Sequence, residues 1–494
     1  MPAVLVALFC LPLAMAVVAL VAPVKISRYA TVVVGAATFV LTFCLVPGVM
    51  HSTVRVGGLL RTDALSVVFL LAVTFLYATT SIFAKGYVQP AHAGVPKYER
   101  RFYVGFNLFC WSLVVVPLVN GLALLWVAIE ITTIVSALLV AIEDTKHASE
   151  AAWKYVLLAS LGLGIALFAT ILMYYAGTAV FGASYDLSYE TLLAGAAHFH
   201  PDVVRFSFVL AVLGYGTKMG LFPVHTWLPD AHSEAPTPVS ALLSGALLAV
   251  SFYAILRFFQ IAERALGPSF PRDTMLVFGV LTLLLAALYL LSQHDMKRLL
   301  AYSSVEHMGI LAVGMSFGAP IAVVGVLLQV LAHAAAKGTA FFGVGSLTRR
   351  FGTKEMSNIR GGIGALPWSG PMLVMAVLAL SALPPFGIFR SEFYIVEGAL
   401  SRSGNTVAAV LVILVTVAFF GMSWYTTQTM LSPDPTAAAV ESGPESAVAK
   451  GEVSAWIVVA MAIGIVALVV LGVHPPSQLS HLLSRAAAEL GSAR

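Results

Sequence analysis

Apolar runs of about twenty residues, separated by short stretches that hold most of the charge, cover this chain from end to end. A hydrocarbon core about 30 Å thick takes roughly twenty helical residues to cross. On that measure the sequence predicts fourteen segments: 3–23, 31–49, 64–84, 104–119, 121–142, 154–175, 203–228, 236–262, 274–292, 299–317, 321–347, 367–400, 405–431 and 453–473. Two of them do not read as straight spans. The seventh contains Phe222-Pro223, and the twelfth is too long for one crossing and contains Pro384-Pro385-Phe386-Gly387. Proline removes a backbone donor and breaks the helical ladder, which leaves carbonyls in need of protein or water partners. Both segments therefore read as two half-helices. The expected fold class is an all-α integral membrane protein of about fourteen transmembrane helices, with helices seven and twelve broken.

Composition agrees, with 60% hydrophobic and 10% charged residues, against about 25% charged in a soluble domain. Ala14-Met15-Ala16 has the form of a signal-peptidase site, but no Lys or Arg precedes it. The positive leader of a signal peptide is missing, so the first segment is expected to stay as a helix. Connections after odd-numbered segments, with the segment ends next to them, carry fifteen Lys and Arg, and those after even-numbered segments, with their adjoining ends and the tail, carry nine. The positive-inside rule then predicts an inner (plasma) membrane protein with both termini on the outer face. The 433–452 connection, rich in Ala, Pro, Ser and Glu, reads as a flexible inside loop. The net charge of +4 follows from this loop bias and gives no reason to invoke nucleic acid. Cys10, Cys44 and Cys110 stand singly in apolar segments with no CxxC, so neither iron–sulfur ligation nor a disulfide framework is expected. The chain has no redox site of its own to predict, and no cofactor or metal.

A few charges interrupt the apolar runs. Lys218 lies thirteen residues after Arg205 and twelve before Asp230, roughly 20 Å of helix from either. A lysine at mid-membrane costs on the order of 2.5–3.5 kcal/mol on insertion scales, and chains retain one chiefly for ion or proton work. Glu130 is similarly isolated; Lys337 follows His333 by one turn; Glu392 follows the break in segment twelve; His307 lies in the first half of segment ten. Two broken helices in matching places point to an inverted-repeat transporter. The offsets agree weakly, with 174 residues from Lys218 to Glu392 and 177 from Glu130 to His307. Singly, each residue also has a structural reading. A membrane carboxylate can tether a neighbouring helix, His225, His232 and His307 can be packing histidines, and Arg390 can snorkel to an interface. His225 and His232 lack a third ligand, so a metal site is not expected. Together, a Glu, two Lys and a second Glu on four segments read as a proton relay.

The run Gly214-Tyr-Gly-Thr-Lys-Met-Gly-Leu-Phe-Pro-Val-His-Thr-Trp-Leu-Pro-Asp-Ala-His232, followed by Ala235-Pro-Thr-Pro-Val-Ser-Ala241, resembles the signature of the antiporter-like subunits of respiratory complex I, Mrp cation/proton antiporters and membrane-bound hydrogenases. Asp295-Met-Lys-Arg-Leu-Leu-Ala-Tyr-Ser-Ser304 and His333-Ala-Ala-Ala-Lys337 match further blocks, and the resemblance runs from about Leu65 to Met430. It implies two inverted five-helix repeats, helices four to eight and nine to thirteen. The domains expected are then 1–103, three leading helices; 104–262, the first repeat; 263–431, the second; and 432–494, a cytoplasmic loop, helix fourteen and a short tail. By the same resemblance Glu130 matches the helix-five glutamate that pairs with Lys218, and Lys337 the central lysine of helix eleven. His333 and His307 match its polar neighbours, and Glu392 the terminal ionisable group. His225 and His232 join the set through the signature run. Where many complex I members carry a helix-eight lysine, this chain has Ala249. A water chain past Ser244 and Ser251 would have to replace it, or the link between the halves is weakened.

Within the family, the Pro-Pro-Phe-Gly-Ile-Phe-Arg-Ser-Glu-Phe run is most similar to the F component of hydrogenase-4-type, formate hydrogenlyase-like assemblies. That resemblance implies a proton-translocating member of a redox-driven complex, with further antiporter-like membrane subunits and lipids around it. A soluble redox arm would hold the [NiFe] and iron–sulfur centres. Complex I (NADH:quinone oxidoreductase) and an Mrp-type antiporter are alternatives of the same class, and a membrane component of an inorganic-carbon uptake system is one of another class.

Overall fold

The computed structural model describes residues 1–91, 96–402, 404–433 and 450–491, so the predicted 433–452 loop lies almost wholly outside the described residues. Helices α1 (Pro2–Val21) and α2 (Val24–Val49) lead into a hairpin of β1 (Val54–Val56) and β2 (Leu60–Thr62). Its strands pair antiparallel with Val54 opposite Thr62, and Gly57, at φ +59°, supplies the left-handed turn residue that a side chain would resist. The chain continues through α3 (Ala64–Ala91), α4 (Pro96–Val115), α5 (Leu122–Val140), α6 (Lys146–Phe181), the short α7 (Tyr189–Gly195), α8 (Pro201–Met219) and α9 (Trp227–Glu234). Then come α10 (Thr237–Leu242), a π-helical turn (Leu243–Leu247), α11 (Leu248–Leu266), α12 (Ser269–Leu290), α13 (Met296–Phe317) and α14 (Pro320–Phe351). The last third holds α15 (Gly362–Ala365), α16 (Ser369–Leu380), α17 (Gly387–Ser401), α18 (Asn405–Met430), α19 (Ala455–Val473) and α20 (Ser477–Glu489).

Among the described residues, eleven helices are long and apolar enough to cross a membrane. The remaining predicted segments are occupied by α8, by α13, and by α16 with α17, while α9 lies mostly beyond the predicted end of segment seven at residue 228. Burial sorts the helices into an axis and a belt. Residues 237–262 are buried throughout, and the most apolar stretches of α14 and α3 are 89% and 83% buried, against 28% for those of α18 and α19. The belt exposes Leu138, Leu157, Leu161, Ile413 and Val466, the surface a protein presents to acyl chains rather than to water. Small residues let neighbouring helices close up. A Cβ on Gly214 of α8 would stand 2.6 Å from the Ala166 nitrogen of α6.

Both predicted breaks are present. Between α8 and α9 the chain turns at Gly220 (φ +91°), and between α16 and α17 at Ala382 (φ +52°). A cis peptide bond stands in each break, Phe222–Pro223 and Pro384–Pro385. Backbone groups freed there find side chains. Phe222 N donates to Thr282 Oγ1 at 2.9 Å, and Trp227 Nε1 donates to the Thr217 carbonyl at 2.8 Å. Asp295 caps α13 by accepting from the backbone nitrogens of Lys297 and Arg298 at 2.7 and 3.0 Å.

At the other end of the bundle an ionic cluster ties the hairpin, α3, α7, α11 and α20 together. Arg257 donates to Asp63 at 2.7 Å, Arg61 to the same carboxylate at 2.6 Å, and Arg61 also to Glu190. The Glu489 carboxylate accepts from the backbone nitrogens of Ala64 and Leu65, at 3.3 and 3.0 Å, and so caps α3.

Candidate functional site

Lys218 ends α8 one residue before the terminal Met219, fully buried. Its ammonium donates to the Ile129 carbonyl at 3.0 Å and to Thr133 Oγ1, both on α5. Glu130 sits between those partners in sequence and acts on Lys218 electrostatically. The two form no ion pair within 4 Å, and Glu130 Oε2 is buried without a hydrogen-bond partner. The direct pair expected from the sequence is thus replaced by a looser one, because a carbonyl and a hydroxyl of α5 hold the ammonium instead. Nearby, Ser136 Oγ lies 2.8 Å from Tyr155 Oη, and Tyr155 packs on Trp227 at 4.4 Å.

Lys337, at the middle of α14, repeats this geometry. It is fully buried and donates to the Leu300 carbonyl at 2.8 Å and to Ser303 Oγ, both on α13. The carboxylate acting on it is Glu306, also buried and with Oε2 unpartnered. The sequence pattern favours its neighbour His307 and leaves Glu306 aside. A signal for it exists, since Glu306 is 176 residues after Glu130, but a charge directly beside a histidine does not look isolated.

Four residues before Lys337 on α14 comes His333, both of whose buried ring nitrogens lack a hydrogen-bond partner. His333 and His307 stand edge to face with centroids 5.1 Å apart. Gln329 Nε2 bridges His307 Nδ1 at 3.0 Å and Glu392 Oε1 at 3.1 Å, and Ser391 Oγ donates to Gln329 Oε1. Glu392 lies 3.9 Å from His307. Gln329 is a second residue that the sequence pattern does not single out, an uncharged member of a chain otherwise marked by charge.

Two histidines of the signature run lie elsewhere. His232, on α9, is fully buried, bonds the Leu228 carbonyl through Nδ1 at 2.7 Å, and leaves Nε2 unpartnered. It stands between Trp227 at 6.3 Å and Phe341 at 5.9 Å and lies within electrostatic reach of Lys337. His225, in the break, is 6.4 Å from Tyr289 and joins neither cluster. A cavity of about 830 Å³ reaches Phe222, Tyr289, Asp295 and Tyr302. Ala249 is buried on α11, and the polar link at that level is Ser244, in the π-helical turn, 2.7 Å from Ser304 of α13. Ser251 bonds only its own helix, at Leu247 O. No group of three or more His, Cys, Asp or Glu poised for a metal ion occurs among the described residues.

Residues 119–420, which contain all of these groups, match the NADH:quinone oxidoreductase/Mrp antiporter transmembrane family. The chain belongs to that family. It is an antiporter-like membrane subunit of the kind found in hydrogenase-4, complex I and Mrp-type complexes. A hydrogenase-4 component F homologue of Methylacidiphilum infernorum is 36% identical over 374 residues, which cover 73% of this chain and 76% of that protein. Among solved structures, the Mrp complex from Dietzia sp. contains a chain that superposes with a TM-score of 0.85 at 19% identity, covering 99% of this chain and 97% of that one. Respiratory complex I from Thermus thermophilus contains another, with a TM-score of 0.82 at 23% identity, covering 99% and 100%. At these identities the structural likeness is one of fold.

Proposed function

We propose that this antiporter-like chain carries protons through the two lysine clusters, driven by redox chemistry in a partner arm of a group 4 membrane-bound [NiFe]-hydrogenase-like assembly. The observation that carries the reading is the repeated device. In each half a buried lysine bonds one carbonyl and one hydroxyl of the facing helix, with an unpartnered carboxylate nearby. An opposite charge favours the ammonium and burial favours the neutral amine. A shift of Glu130 away from Lys218 therefore releases a proton from the lysine, and its return draws one in. Glu306 and Lys337 repeat the step, and His333, His307 and Gln329 lead on to Glu392. Tyr155, His232 and the Ser244–Ser304 contact supply polar groups between the halves where Ala249 offers none.

In this reading the chain has fourteen transmembrane helices, with two inverted repeats over 104–262 and 263–431. It lies in the inner membrane with both termini outside, and the [NiFe] and iron–sulfur centres belong to the partner arm. The likeness to a component F homologue favours the hydrogenase assembly over complex I or an Mrp-type antiporter. Gentle purification of the tagged chain from its own membranes tests this. Hydrogenase large and small subunits should come with it, whereas NADH-oxidising or further cation-antiporter subunits would redirect the assignment, as would a lone zinc protein.

A further inference from the structure

A cleft of about 630 Å³ opens between α1, α4 and α5, away from both lysine clusters. Its two ends differ in chemistry. Lys97, Arg100 and Arg101 line one end, with Asp144 as the carboxylate among them, and all three cations are exposed. None of the three makes an ion pair or a side-chain hydrogen bond with another described residue, although Glu99, between them in sequence, is bonded to Arg28. The rest of the cleft is apolar, with Leu20, Leu108 and Leu138 on its walls. Below the charges those walls continue into exposed ridges, Val17 and Leu20 on α1 and Ile134 and Leu138 on α5.

Three unpaired cations against one carboxylate leave this end with an excess of two positive charges. They stand where a span meets the headgroup layer, and the apolar trough runs from them along the spans. A soluble anion would use only the charged end and a plain hydrocarbon only the trough. A molecule with a phosphate at one end and acyl chains at the other uses both. Basic pockets between transmembrane helices on the positive-inside face suit anionic headgroups, and each Lys or Arg near the surface strengthens the attraction about fivefold. We propose that this cleft binds an anionic phospholipid, with its phosphate held by Lys97, Arg100 and Arg101 and one acyl chain laid between α1 and α5.

The test uses the full chain in detergent, supplied with an equimolar mixture of phosphatidylglycerol and phosphatidylcholine, with retained lipid read by native mass spectrometry. Wild type should keep phosphatidylglycerol in clear excess. The variant Lys97→Gln, Arg100→Gln, Arg101→Gln should lose that preference by about tenfold or more while eluting as the same monodisperse species. Equal retention of the two lipids by wild type, or an unchanged preference in the variant, would overturn the proposal. So would inorganic phosphate displacing the lipid at equal concentration, which would mark a soluble-anion site. Cross-linking from residue 101 to a neighbouring protein in native membranes, with no lipid retained, would overturn it too and mark the cleft as a protein interface.

Discussion

An ammonium removed from water needs acceptors for its protons, and at Lys218 and Lys337 the structure supplies two for each, a carbonyl and a hydroxyl on one neighbouring helix. On the proposed reading, those acceptors hold the amine in place while the nearby carboxylate sets which protonation state prevails. Glu130→Gln should therefore leave Lys218 bonded but without its counter-charge, and pumping should fall close to background at unchanged assembly. Adding Lys218→Ala should then cost little more, since two parts of one device are not additive. Vesicle pumping by the single and double variants, normalised to assembled complex, measures this. Independent, additive losses would mean that Glu130 only tethers helices. Glu306→Gln should weaken pumping as Glu130→Gln does, whereas a wild-type rate would remove Glu306 from the relay. Glu130, Lys218, Lys337 and Glu392 are legible in the sequence because each interrupts an apolar run. Glu306 and Gln329 are not, because what sets them apart is their place in the fold, Glu306 within electrostatic reach of Lys337 and Gln329 bonded to Glu392, and nothing in the spacing of one helix reveals it.

At the scale of elements, both breaks are legible because proline forbids a continuous ladder. The π-helical turn that places Ser244 against Ser304 is not, since Leu243–Leu247 contains no residue that demands it. The tie between α20 and α3 is equally hidden, joining positions more than 420 apart. Burial, with repulsion from Asp63, raises the Glu489 carboxyl from its usual range to about 7, against the pull of the Leu65 amide and of Arg257. Because the folded value exceeds the unfolded one, docking of α20 gains as pH falls through 7 towards 4.5, and that gain is lost as pH rises above the folded value. Amide exchange in 477–489, corrected for intrinsic rates, should be slower at about pH 6 than at about pH 8, and Glu489→Gln should flatten the difference. An unchanged pH response in that variant would assign it to another group. Asp63 behaves oppositely. Its burial works against ionisation, yet Arg257 and Arg61 hold it well below the usual carboxylate range. Asp63→Asn would leave two buried guanidinium groups without their shared carboxylate, a loss on the order of 3–5 kcal/mol. It should lower the unfolding temperature in detergent markedly, and a shift of a degree or less would show that the cluster is not what anchors this end.

For the whole molecule, the pattern of apolar runs is enough to find helix in all fourteen predicted segments and to mark the breaks after α8 and between α16 and α17. Which helices form the buried axis is not legible, because α3 and α14 are apolar as the belt is and differ in what surrounds them. The proposed placing of each end relative to the membrane rests on the fifteen-to-nine distribution of Lys and Arg and the positive-inside rule. Reporter fusions at Glu441 and after Arg494 should give opposite signals, and matching ones would mean that no single crossing lies between them. The central question is whether a lysine on a broken helix carries the proton. Redox-driven proton uptake by vesicles containing the assembled complex answers it, with Lys218→Ala compared against wild type at equal assembly and equal redox turnover capacity. Uptake should be abolished in Lys218→Ala; wild-type uptake in the well-assembled variant would contradict the relay.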